Sequence, residues 1–231
     1  MRAFSSAVAP IAIIAALAFA NQSTHAATSW TTASGTSDNI TYDSGQTAHG
    51  LLEAGSPIVS SDKFVFTPSN FAADSSSAPA VDDLLSVVLH AKSGKSLSRV
   101  SADLKGDFST LGTATVLADA QLKVTNLDTS ASFAQSFDFG TSFTSGTEDG
   151  LFNGFASILL PIGWRNALVE YSASLNATGQ GGVGFIQGKT GQLGVEVKPQ
   201  VVAVPLPGAA LAAIPAIALA WVARRRLAIV R

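Results

Sequence analysis

Apolar and polar residues alternate with a period of two along most of the chain. From Val116 to Val124 the even positions Val116, Ala118, Ala120, Leu122 and Val124 are apolar, while Asp119, Gln121 and Lys123 point the other way, as does Leu117. From Ala167 to Leu175 the odd positions Ala167, Val169, Tyr171, Ala173 and Leu175 alternate with Leu168, Glu170, Ser172 and Ser174. Leu193, Val195 and Val197 repeat the pattern. Successive side chains of a strand face opposite ways, so this pattern puts one face on a core and the other in water, as in antiparallel sheet.

Lys63 to Thr67, Leu97 to Leu104 and Ser132 to Phe139 are further strands, the last with Phe133, Phe137 and Phe139 on one face. Turns are expected at Ser93-Gly94, Lys105-Gly106-Asp107, Asp149-Gly150 and Gly188 to Gly191, the last as a hairpin. Val81 to Ala91 fits a strand better than a short helix, and Leu151 to Leu160 reads as a buried strand or a helical turn. Ser75 to Ala80 reads as a loop, and Gly35 to Gly50 carries weak strand signals. The fold expected for residues 27–200 is all-β: an antiparallel β-sandwich, jelly-roll-like, with one core.

Both ends break the pattern. Residues 1–26 have the order of a secretory signal peptide: Arg2, an apolar stretch from Ala7 to Ala20, then a polar segment ending Thr24-His25-Ala26. Cleavage after Ala26 is expected, with Ala20 as the alternative. The apolar stretch is shorter than the roughly 20 residues that cross a bilayer. Residues 201–231 place a proline-bearing turn, Val204-Pro205-Leu206-Pro207, before an apolar run at 208–223 and the basic cluster Arg224, Arg225, Arg226. That run suits a short transmembrane helix, with the arginines holding its end in the cytoplasm and Trp221 at the interface.

This three-part tail resembles the PEP-CTERM sorting signal in its Val-Pro-Leu-Pro-Ala form, with Gly208 in place of the alanine. Pro215 within the apolar run and Leu227 to Val230 after the arginines depart from that pattern. The resemblance covers the tail alone. It implies sorting by an exosortase in an exopolysaccharide-producing bacterium, after export and signal-peptidase cleavage, with a transient single-pass anchor in the inner membrane.

Removing the ends changes the charge. The whole chain carries 14 Lys and Arg against 16 Asp and Glu, but five of the basic residues lie in the two terminal segments. The middle therefore holds 9 basic and 16 acidic residues, a net of −7. An acidic surface repels phosphate backbones, so nucleic acid is not an expected partner. With no cysteine, disulfides, thiolate nucleophiles and thiolate-bound zinc are excluded.

Candidate chemistry is sparse. Gly179, Gly181 and Gly184 match a dinucleotide fingerprint, but strand follows them rather than a helix, so they read as a hairpin loop. His49 and His90 are too few for a three-histidine zinc site, and no metal site is expected. Calcium is the one cofactor the composition leaves open, around Asp38, Asn39 and Asp43. The neighbouring carboxylates Asp82-Asp83 and Glu148-Asp149 face opposite ways on a strand and do not form a facing dyad. Trp30 and Trp164 are the candidates for stacking on sugar rings; the alternative is that each packs on the edge of the sandwich.

The function expected is that of a non-enzymatic envelope or extracellular-matrix protein, structural or adhesive. A carbohydrate-binding module and a carboxylate-dependent polysaccharide hydrolase are the alternatives.

Overall fold

The computed structural model describes residues 27–143 and 146–200. The segments expected to be a signal peptide (residues 1–26) and a sorting signal (Val204 to Pro207, the apolar run and Arg224 to Arg226) lie outside the described residues. Among the described residues no helix is long and apolar enough to cross a membrane.

Strands are numbered in chain order. The first sheet runs β1 (Thr28–Ser29), β3 (Ile40–Thr47), β7 (Ala80–Ala91), β12 (Asn166–Gly179), β9 (Ala114–Asn126) and β10 (Ser132–Phe143), and β2 (Gly35–Thr36) also pairs with β3. The second runs β11 (Thr147–Leu159), β8 (Lys95–Leu111), β13 (Val183–Pro199), β5 (Lys63–Phe66) and β4 (Ile58–Ser60), and β6 (Ala72–Asp74) also pairs with β13. These pairings are antiparallel. The chain switches sheets repeatedly, so each sheet interleaves early and late strands. The result is an all-β sandwich of two antiparallel sheets.

The alternating runs supply its core. Val116, Leu122 and Val124 of β9 and Val169, Tyr171 and Leu175 of β12 are wholly buried. Each such aliphatic side chain contributes about 1.5–3 kcal/mol relative to exposure. Aromatic rings bridge the sheets. Tyr42 meets Phe64 edge-on at 5.0 Å, and Phe139 lies between Phe108 and Phe152 at 5.4 and 5.6 Å. The expected strand at Val81 to Ala91 is β7, and Leu151 to Leu160 is strand rather than helical turn.

Three expected turns are corrected. Gly106 lies in mid-β8, paired with Phe152 on one side and Gly188 on the other. Gly150 lies within β11 opposite Phe108. Gly188 to Gly191 is a bulge inside β13, where the register against β8 shifts, and not a hairpin. These glycines sit where neighbouring rings or backbone leave no room for a Cβ. A Cβ on Gly106 would fall 1.9 Å from the Gln187 carbonyl oxygen, and one on Gly191 would fall 2.2 Å from Phe66. True turns occur where glycine takes positive φ, at Gly94 between β7 and β8 (73°) and Gly181 between β12 and β13 (97°). The second is the hairpin loop expected at Gly179 to Gly184.

Candidate functional site

The two tryptophans do not form a stacking platform. Trp30 is 3% exposed, its ring tilted against Phe64 at 6.1 Å and seated over Gly45, where a Cβ would collide with it. Trp164 is 6% exposed and packs on Phe133 at 5.6 Å, and its carbonyl accepts the Leu97 N–H. The packed alternative describes both. An indole ring that fills the edge of a core has no free face for a sugar.

A row of exposed apolar groups lies on the second sheet. β11 is its edge strand and buries one row, Phe152, Ala156 and Ile158. The opposite row is in solvent, with Leu151 83%, Phe155 59% and Leu159 66% exposed. Register sets each beside a polar row. Leu151 stands opposite Asp107 and then Gln187; Phe155 opposite Asp103 and then Gln192; Leu159 opposite Arg99 and then Glu196. Four residues of strand separate successive apolar groups by about 13 Å. The face is thus a ribbon of apolar side chains beside carboxylates, amides and a guanidinium.

At one end of this ribbon a shallow depression of about 490 Å³ is lined by Asp107, Phe108, Ser109, Asp149, Gly150, Leu151 and Phe185. β8 supplies Asp107 and Ser109, β11 supplies Asp149 and Leu151, and β13 supplies Phe185. Gly150 faces inward and leaves room for the Phe108 ring, since a Cβ there would lie 2.5 Å from that ring. Asp107 is used on one side only. Its Oδ2 accepts from Lys189 Nζ, whereas its Oδ1 is buried without a hydrogen-bond partner. A carboxylate oxygen taken from water and left unmatched among the described residues is costly. Farther along the face, burial raises the Asp103 carboxyl above its ordinary pKa, with nearby Lys105 acting in the opposite direction.

The other residues singled out from sequence go elsewhere. Asp82 points outward while Asp83 is buried, as the strand alternation requires. Asn39 donates its backbone N–H to Asp62 and accepts from Lys95, and the Asp38 carbonyl accepts from Lys92. The loop considered for calcium is therefore occupied by two ammonium groups. Asp43 instead faces His90 at 2.9 Å. His49 Nδ1 donates to the Asp82 carbonyl, 3.0 Å away.

No family model matches this chain, and no curated protein does. Among solved structures it is similar to infectious bursal disease virus, Gt strain, with 10% identity and TM-score 0.32 over 61% of this chain. The match spans 38% of the viral chain's length. TmCBM61 in complex with beta-1,4-galactotriose gives 14% identity and TM-score 0.22, covering 60% of this chain and 89% of that one. A family 11 carbohydrate-binding module from Clostridium thermocellum, in complex with a mixed-linked tetrasaccharide, gives 9% identity and TM-score 0.17, covering 58% and 89%. The site is therefore read from its own residues.

Sequence reasoning did not single out Leu151, Phe155 or Phe185. The signal was present: Leu151 to Leu160 is apolar at both odd and even positions, unlike the half-polar strands around it. Such a run is equally the mark of a strand buried on both faces.

Proposed function

We propose that this protein is exported through its signal peptide, sorted through its Val204 to Pro207 motif by an exosortase, and works at the cell surface or in the matrix by binding polysaccharide. Its domain is a jelly roll on this reading, supported by the orders β11-β8-β13-β5 and β7-β12-β9-β10. The observation that carries the binding role is the solvent-facing row of β11, where Leu151 and Phe155 stand beside Asp107 and Asp103. Sugars present apolar C–H faces and hydroxyl edges together, so a binding surface needs apolar side chains next to hydrogen-bonding ones. Binding, rather than bond cleavage, is the role we assign to this face.

Retardation of the detergent-solubilised full chain in gels containing soluble polysaccharides tests this. Phe155→Ala is expected to weaken retardation about tenfold, equivalent to about 1.4 kcal/mol. Trp30→Phe and Trp164→Phe should leave it unchanged as long as the chain folds. Retardation that survives Phe155→Ala would remove the face from consideration. Sorting has a separate test: the intact mass of the protein recovered from an exosortase-containing host should show loss of the residues after about Pro207. A mature form retaining Arg224 to Arg226 would leave a simple membrane anchor.

A hydrolase is the second reading, favoured by one observation. Asp107 and Asp149 line the same depression, diagonal to each other across the β8–β11 ladder. Carboxyls a few ångströms apart in a sugar site are the minimum that glycoside hydrolysis requires. Release of reducing ends that disappears in both Asp107→Asn and Asp149→Asn would establish it.

A further inference from the structure

We infer that the Asp107–Asp149 depression takes an uncharged sugar unit and rejects sugars bearing carboxylate or sulfate, a specificity that rests on the polysaccharide-binding reading above. Two carboxylates, Asp107 and Asp149, line the depression. The ammonium of Lys189 sits on Asp107 Oδ2. Asp149 is in no ion pair among the described residues. Lys105, two positions from Asp107 on the same outer face of β8, lies 3.8 Å from the Asp103 carboxylate. The charges at the depression therefore sum to a negative value, in a domain whose net is −7. An anion entering it meets like charge on a partly desolvated surface, which disfavours it by more than bulk-water values suggest.

What the depression offers is acceptor capacity. The Asp149 carboxylate is exposed and in no ion pair among the described residues, and an ionised carboxylate accepts only. Its complement is an O–H, or an N–H, on an otherwise neutral ring. Leu151 and Phe185 give the ring's C–H face an apolar wall, and the Ser109 hydroxyl can donate or accept at its rim. A hexopyranose with free hydroxyls matches all three groups. A uronate brings a further negative charge beside Asp107 and Asp149.

The test compares gel retardation of the full chain by neutral polymers (dextran, galactan, mixed-linked glucan) with retardation by alginate and polygalacturonate, at 20 and 300 mM salt. Retardation by at least one neutral polymer, at least tenfold stronger than by either uronate polymer at low salt, is expected, with the gap narrowing at high salt. Asp107→Asn and Asp149→Asn should each weaken neutral binding several-fold and narrow the discrimination between neutral and uronate polymers. Uronate binding as tight as neutral binding overturns the specificity and leaves polysaccharide binding standing. Neutral binding that is lost in Phe155→Ala but unaffected by Asp107→Asn and Asp149→Asn moves the sugar off the depression, which also overturns the inference alone. No retardation by any polymer defeats both the inference and the reading it rests on. Circular dichroism of each variant separates loss of binding from loss of fold.

Discussion

The ring of Phe137 lies against the bare Cα of Gly154, occupying the space a side chain would need: a Cβ added there would be 1.6 Å from Phe137 Cε2. Phe137 belongs to β10 and Gly154 to β11, the edge strands of the two sheets, so this contact closes one side of the sandwich. Gly154→Ala should destabilise the fold by about 1–3 kcal/mol through overpacking. The check is the urea midpoint at constant slope. Phe137→Leu introduced into the same chain should recover part of the loss. An unchanged midpoint in Gly154→Ala would mean that β10 and β11 are not locked in this way.

Asp83 is a buried carboxylate with no basic partner among the described residues. Its two oxygens accept four backbone N–H groups, those of His49 and Leu84 at 2.8 Å, Leu51 at 2.7 Å and Leu52 at 2.8 Å. It thereby ties the loop after β3 to β7. Asp83→Ala strands these donors and should cost about 3 kcal/mol, with Asp83→Asn intermediate, because an amide keeps one acceptor oxygen. Both are measured by denaturant unfolding. Amide hydrogen exchange should show Leu51 and Leu52 losing protection before β7 does.

Much of this architecture was legible in the residues themselves. Val116 to Val124 and Ala167 to Leu175 alternate cleanly because each lies in a strand with one buried and one wet face, and there a period of two suffices. The glycines misled. Gly106, Gly150 and Gly188 look like turn punctuation, yet each is an inward position where an aromatic ring occupies the space of the missing side chain. That is a tertiary fact with no local trace. Trp30 and Trp164 misled for a related reason, since nothing local distinguishes an indole that faces solvent from one that closes a sandwich edge. The β11 face was hidden by the strand's apolar composition: a residue such as Phe155 reads as core until the structure places it on the outer face of the sheet.

His90 links three strands and responds to pH. Its Nδ1 faces Asn166 Oδ1 at 2.9 Å and its Nε2 faces Asp43 Oδ2 at 2.9 Å, so both ring nitrogens meet acceptors. Asn166 Nδ2 donates to Asp128 at 3.0 Å, which orients the amide oxygen toward the ring. Only the imidazolium can donate both bonds. Accordingly the His90 pKa is raised, first by Asn166 and then by Asp43, against the opposing effect of burial. A raised histidine pKa gives stability that is fully present below the unfolded value of about 6.5 and is lost as pH rises through the folded value. Unfolding free energy should therefore fall as pH rises above about 6.5, and His90→Gln should flatten that slope. NMR titration of the His90 ring must give a pKa above that of an unfolded peptide; a value at or below it contradicts the double-donor geometry.

Asp119 and Asp138 face each other directly across the β9–β10 pair. Like charges directly opposed in a sheet oppose folding. Burial, and then the Asp138 charge, raises the Asp119 carboxyl above its ordinary pKa. For an acid raised in the folded state the sign is the reverse of an ion-paired one: the unfavourable contribution is present above the folded pKa and is relieved as pH falls through it. Asp138→Asn should therefore stabilise the protein at pH 7 by about 0.5 kcal/mol, a modest figure because both groups are solvated. The gain should shrink in 1 M salt, where the Debye length falls to about 3 Å, and vanish near pH 3, where Asp119 is protonated. The same gain at pH 3 and pH 7 would show that it comes from strand propensity rather than charge.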